Sequence, residues 1–311
     1  MTVRQILFQW GPFSLPAYGF FVGLGCIVGM HLAEQRGRYL GLPRFLVFDT
    51  LFVAFLGGLV GAKYLYFPFA NAAGLSHSAA EEGRAFFGSM AGALVAAIVF
   101  LRVRRAPILR ALDATFLYVP LGHSIGRLGC WFFGCCYGKV CGDSIFGVQF
   151  PRLVDCAGKV AGSPPFLAHM ERGLVQPDAM RSVPVYPTQV LAVLLSLMIF
   201  VCLRLVSDRK WAESRPGSIV FSYCILYGIA RWVEELLRDQ RVLYNLMTMA
   251  QFVCLGMLIF GSIGLGFCLL NPPPDNDGLR AGMGFSIPPR RKRRRQLLAL
   301  RKQAKRKGCK P

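Results

Sequence analysis

Seven long apolar stretches limit what this chain can fold into. They run roughly through residues 15–32, 45–69, 86–101, 114–133, 188–203, 217–237 and 243–270. Each can cross a bilayer core of about 30 Å, the shorter ones with help from flanking residues. The expected fold is therefore an all-α integral membrane protein with about seven transmembrane helices. With 54% of its 311 residues hydrophobic and 17% charged, the chain does not read as a pair of soluble domains. No internal repeat and no cleavable signal is expected, since the first apolar stretch is long enough to remain as a span.

The loops set the orientation. Arg36, Arg38 and Arg44 follow the first stretch, and Arg102, Arg104, Arg105 and Arg110 follow the third. Arg204, Arg209, Lys210 and Arg215 follow the fifth. The alternate loops are poorer in cations. The positive-inside rule then predicts an outer N-terminus and a cytoplasmic C-terminus. Residues 134–187 become a long outer loop between the fourth and fifth helices. Of the formal net charge of +20, residues 290–311 supply twelve Lys or Arg and no acid, which leaves +8 for the rest. The expected division is a membrane domain over 1–271 and a basic, disordered tail over 272–311. Tethered beside the bilayer, the tail is expected to touch anionic lipid, and no nucleic-acid partner is expected.

Ionisable residues inside apolar spans are costly and default to function. At about 1.5 Å of rise per residue, His123 and Arg127 lie about 14 and 20 Å up the fourth span. By the same measure Lys63, Arg231 and Arg238 lie about 27, 21 and 31 Å up theirs. Separate spans thus bring their polar residues to the outer half of the membrane. Arg231, Glu235 and Arg238 share one helix face, and Glu234 lies beside them. Asp49 and Asp113, near inner helix ends, read as structural acids. The outer cluster sets Lys63, Arg127, Arg231 and Arg238 against Glu234 and Glu235. A positive cavity of this kind suits an anionic lipid headgroup, because Arg grips phosphate oxygens in pairs. The competing reading is an Arg/Glu network that only ties helices together.

Residues 122–142 read GHSIGRLGCWFFGCCYGKVCG. His123, Arg127 and Cys130 share a helix face. Gly122 with Gly126, and Gly134 with Gly138, are spaced to let another backbone approach. Cys130, Cys135, Cys136, Cys141 and Cys156 crowd this region. An outer location allows disulfides. Zinc and free thiols are the alternatives, and zinc ranks low because there is no Cys-x-x-Cys spacing.

These residues carry a resemblance to the bacterial prolipoprotein diacylglyceryl transferases. That family's signature, Gly-Arg-Ile-Gly-Asn-Phe-Ile-Asn-Gly-Glu-x-x-Gly, is met at Gly126, Arg127, Gly129, Gly134 and Gly138, with Leu128 for the isoleucine. Pro16-Ala17-Tyr18-Gly19 resembles the first helix, and Asp49 to Tyr66 the second, with Lys63 for an arginine. Tyr186-Pro187-Thr188-Gln189 resembles a His-Pro-Ser-Gln stretch, and Arg231 to Arg238 an Arg-Phe-x-x-Glu-x-x-Arg stretch. The likeness covers roughly residues 13–270.

The resemblance implies transfer of a diacylglyceryl group from phosphatidylglycerol to the cysteine thiol of a lipoprotein precursor. The setting would be the outer face of the bacterial cytoplasmic membrane, with no cofactor and no metal. It implies that Arg127 holds the phosphate and that Arg231 or Arg238 stabilises the leaving glycerol phosphate. Tyr18, Lys63, Gly126, Gly129, Gly138, Gln189 and Glu235 are the expected substrate-binding residues.

The chain also departs from the family. Cys130 and Phe133 stand for the signature asparagines and Cys135 for its glutamate, while Phe87 replaces a third-helix histidine. His123 is the candidate replacement base, since an imidazole titrates near neutrality. The departures mark a cysteine-rich branch with Gly-Cys-Cys-Tyr-Gly-Lys. They keep a second hypothesis open: transfer to another acceptor, or a non-catalytic or thiol-redox membrane protein on the same scaffold.

Overall fold

The computed structural model describes residues 6–10, 13–64, 80–142, 144–153, 162–238 and 247–271. Cys156, the side chain of Phe87 and the basic tail lie outside the described residues. The chain opens with an antiparallel hairpin, β1 (Ile6–Trp10) and β2 (Phe13–Pro16), which pairs Gln9 with Ser14. The rest of the described chain is helical, as expected of an all-α membrane protein, and the span expected from about residue 15 begins at Ala17. Phe8, Trp10, Phe13 and Leu15 fit a strand, and Pro16 holds Leu15 before it in extended backbone, so the helix starts at Ala17.

The helices follow in order. α1 is Ala17–Tyr39, α2 Leu46–Tyr64, α3 Ala80–Val103, α4 Ile108–Phe116 and α5 Val119–Phe133. α6 is Pro164–Glu171, α7 Thr188–Ser207, α8 Lys210–Ser214, α9 Ser218–Leu236 and α10 Met249–Leu270. Four are long and apolar enough to cross a membrane: α1, α2, α7 and the Ala250–Leu270 part of α10. Their outward faces are apolar. Phe48, Phe52, Phe55 and Leu59 line one exposed face of α2, which in water would be an unpaid hydrophobic patch.

The fourth apolar stretch is two helices rather than one. Pro120 lacks an N–H and sits in the first turn of α5, so the α4 helix ends and a new one begins. α5 is central: α1 packs on one side of it and α7 on the other, and α7 leads on to α9 and α10. The termini of the helices are held by acids. Asp113 on α4 accepts the N–H groups of Gly217, Ile219 and Val220 at the start of α9 (2.7, 3.1 and 3.0 Å). Its role is structural as expected, although the helix it caps is not its own. Glu34 does the same for α2, accepting from Phe45 N at 2.8 Å and Phe48 N at 3.3 Å.

Glycine decides the closest contacts. Gly25 of α1 faces Gly122 of α5, where an added Cβ would sit 2.5 Å from the Gly122 carbonyl oxygen. Gly126, expected to share that role, meets only Val22 at an ordinary 3.8 Å. A second crossing, absent from the sequence reading, joins α2 to α3 through Gly57 and Gly61 against Gly88 and Gly92. Both pairs are spaced four apart, so each helix presents a groove to the other. A Cβ on Gly92 would fall 2.4 Å from the Gly57 carbonyl oxygen. Gly92→Leu should therefore lower the stability of the detergent-purified protein by about 1–3 kcal/mol in thermal unfolding. Gly256→Leu, at a position with nothing within 4 Å, is the control and should stay within about 0.5 kcal/mol.

Candidate active site

α5 carries the site's first members. Arg127 donates its Nε–H to His123 Nε2 at 3.0 Å, one turn back on the same face. Arginine can only donate, so His123 Nε2 is an acceptor and the ring is neutral with its proton on Nδ1. That Nδ1–H points to Ser196 Oγ of α7 at 3.1 Å. The free lone pair that a catalytic base requires is thus occupied by Arg127. His123, expected as a replacement base, here holds its acceptor nitrogen against Arg127. Ser196 was not foreseen. Its signal was a polar residue in the middle of an apolar helix, on the face that also buries Gln189, Ala192 and Ile199.

α9 supplies the rest of the charge. Arg127 lies 3.5 Å from Glu234, Arg231 lies 3.5 Å from Glu234 and 2.7 Å from Glu235, and Arg238 lies 3.7 Å from Glu234. Among the described residues of this group, three cations face two carboxylates. The glutamates are at the back, with side chains 4% and 0% exposed, while the arginines keep 12–16% of theirs open. Lys63, expected in this cluster, is exposed at the end of α2 with its ammonium 5.6 Å from the Tyr64 ring centre. Tyr18 is half-exposed beside Phe133, and its backbone lies against Gly129.

The loop after α5 is pinned on both sides. Gly134 ends the helix in the left-handed region, φ 84°, so the Gly134–Gly138 pair is not a helical groove as expected. Gly138 N–H donates to the Tyr186 carbonyl at 3.0 Å, and Lys139 N–H to the Leu237 carbonyl at 2.8 Å. Gly138 lies opposite Arg238 in this short antiparallel stretch. A Cβ there would come within 2.9 Å of Leu237, Thr188 and Tyr186 atoms, which explains the glycine. Gln189 is fully buried and its amide donates to the Cys135 carbonyl at 2.7 Å; Thr188 donates to the Cys136 carbonyl at 2.6 Å. Gln189 and Glu235, expected to touch substrate, are both buried.

Among the described residues Cys130, Cys135, Cys136 and Cys141 form no disulfide with one another; the part of the expectation that involves Cys156 lies outside them. The Sγ atoms of Cys130, Cys135 and Cys136 lie within 4.8 Å of one another. The hydrogen bonds of Cys130 and Cys135, then Arg127 and Arg238, hold the Cys136 thiol well below its ordinary range. The same hydrogen bonds push Cys135 up.

Apolar helices with outward hydrophobic faces, closing on buried arginines backed by glutamates, define a helical integral membrane protein with a cluster of buried cations. The profile of the prolipoprotein diacylglyceryl transferases matches residues 5–267, and the chain belongs to that family. Three relatives bear the name phosphatidylglycerol–prolipoprotein diacylglyceryl transferase. The one from Clostridium tetani is 25% identical over 264 residues, covering 83% of this chain and 95% of that protein. The one from Prochlorococcus marinus is 28% identical over 289 residues, covering 83% and 89%. The one from Rhodospirillum rubrum is 26% identical over 276 residues, covering 84% and 91%.

Proposed function

We propose that this chain transfers the diacylglyceryl group of phosphatidylglycerol to the cysteine thiol of a lipoprotein precursor. The observation that carries this reading is the trio of arginines gathered on two enclosed glutamates, with side chains 12–16% exposed against 4% and 0% for the acids. Among the described residues three arginines gather on two glutamates, a surplus of positive charge that suits an anionic headgroup. The donor is an anionic phosphodiester in the membrane. Arg127, oriented by His123, presents its remaining N–H groups to the phosphate oxygens. Arg238, stitched to Gly138, neutralises the glycerol phosphate as it leaves. Arg231 is committed to Glu235 at 2.7 Å and acts as scaffold. The acceptor sulfur forms a bond to the terminal glyceryl carbon, the carbon–oxygen bond to phosphate breaks, and glycerol phosphate departs with the electron pair. Tyr18, at the half-exposed edge between α1 and α5, borders the lipid's path.

The proposed setting is the bacterial cytoplasmic membrane, with seven spans, the N-terminus outside and the active site in the outer leaflet. α3, α5 and α9 join the four helices already singled out as spans. α5 is short and α9 carries the site's charges, a departure from full apolarity that function explains. The test is complementation of cells depleted of their own diacylglyceryl transferase, scored by lipidated precursor. The full chain should restore lipidation, and a chain lacking residues 288–311 should restore it equally, because the tail's charges serve membrane attraction. Full-length protein that inserts but lipidates nothing would sink the function. A truncated chain that inserts and is inactive would show that the tail belongs to the machinery.

A further inference from the structure

Cys130, Cys135 and Cys136 form the one group of three clustered metal-ligating side chains among the described residues. They come from the last turn of α5 and the turn that follows. That turn is held in an unusual backbone: Cys136 has φ 57°, a region non-glycine residues rarely adopt, and Thr188 and Gln189 grip the carbonyls of the pair. Such a conformation persists only where its surroundings impose it. Cys130 is buried, whereas Cys135 and Cys136 are part-exposed, so the cluster has one open side.

A transferase acting on a thiol must take that thiol's proton. The residues of the pocket are already engaged. The acceptor nitrogen of His123 takes the Arg127 N–H, and Glu234 and Glu235 are paired to arginines and enclosed. The three thiols offer another route. Sulfurs around a tetrahedral zinc, with bonds of about 2.3 Å, stand about 3.8 Å apart. The observed 4.8 Å limit needs only side-chain rotation to close. Soft thiolates select zinc or Cu(I) over calcium or magnesium, and three protein ligands leave a fourth position open. Three thiolates and a divalent cation carry one net negative charge, which matches the surplus positive charge of the arginine cluster.

Resting on the transfer reading above, we propose that Cys130, Cys135 and Cys136 bind a zinc ion whose open position takes the acceptor cysteine's sulfur. Coordination deprotonates that thiol outright and releases its proton to water, so the sulfur reaches the glyceryl carbon as a metal-held thiolate. No oxidant or reductant is involved.

The experiment titrates the full-length, reduced, metal-stripped protein in detergent with Co2+. The expected result is stoichiometric cobalt with sulfur-to-cobalt charge-transfer bands and tetrahedral visible bands. These bands should be lost in Cys130→Ser, Cys135→Ser and Cys136→Ser and kept in Cys141→Ser. Because a serine variant can misfold, the wild-type protein is also treated with a chelator and then zinc, which should remove and restore a bound ion. A peptide ending in cysteine should shift the visible bands, and its serine counterpart should not. No bound cobalt, or bands that survive the three serine variants, overturns the site. Bands indifferent to the cysteine peptide overturn the acceptor role. A disulfide among the three cysteines, trapped by alkylation in intact membranes, overturns the proposal and favours the redox reading. A cobalt site that answers to the peptide in a protein unable to complement supports the metal centre while the transfer reading fails.

Discussion

Purified Arg127→Ala should lose about 10²–10³-fold of its transfer rate, the cost typical of removing one preorganised donor to developing charge. Arg127 is the only arginine of the cluster that lies on α5, and its Nε is fixed by His123. The alanine removes both the charge and the planar fork that matches two phosphate oxygens. Arg127→Lys should recover little, because an ammonium is a point charge without the fork. The loss should fall mainly on kcat, since the phosphate gains charge as the glyceryl carbon leaves it. Assays on detergent-solubilised protein with phosphatidylglycerol and a precursor peptide measure this. Arg127 also ties α5 to α9 through Glu234, so thermal unfolding must accompany the kinetics. A folded Arg127→Ala protein with near wild-type transfer would end the assignment.

Glu234→Ala should do the largest damage to stability, about 3–5 kcal/mol, by leaving buried cations uncompensated. Glu234 lies within ion-pair distance of Arg127, Arg231 and Arg238, and its side chain is 4% exposed. No other carboxylate of the cluster reaches Arg127 in the described ion pairs. The arginines would either leave the pocket or draw water into it. Thermal unfolding in detergent measures the loss. Added salt should not restore it, because screening acts weakly on enclosed charges. Glu235→Ala should cost less, since among the described ion pairs Glu235 meets Arg231 while Glu234 meets three arginines. A Glu234→Ala protein as stable as wild type would show that the three arginines do not rely on this acid, and the acid-backed pocket would be wrong.

Much of the site was legible in the chain because helices convert spacing into faces. His123 and Arg127 are one turn apart, and so are Arg231 and Glu235, and both pairs meet in space. Depth along a span is also a count of residues, so Arg127 and Arg231 could be set at one level without coordinates. Counting does not give the rotation of one helix against another. Lys63 has the right depth, yet it ends exposed beside Tyr64. His123 has the right depth as well, but its lone pair is consumed by a neighbour.

By itself, the sequence determined that the protein is helical and membrane-embedded, that its intramembrane charge is positive, and which signature links it to its family. Those properties follow from apolar length, from the cost of burying charge and from residues a short distance apart in the chain. Tertiary structure alone decided three things. Gly57 and Gly61 meet Gly88 and Gly92, because a groove has meaning only once a partner helix lies in it. Gln189 braces the loop after α5, because its amide reaches a carbonyl 54 residues away. The cysteines form a cluster without a Cys-x-x-Cys spacing. A left-handed turn at Gly134 and Cys136 folds Cys135 and Cys136 back over Cys130, and backbone φ at a helix end is set by the contacts that hold the turn as much as by the residues within it.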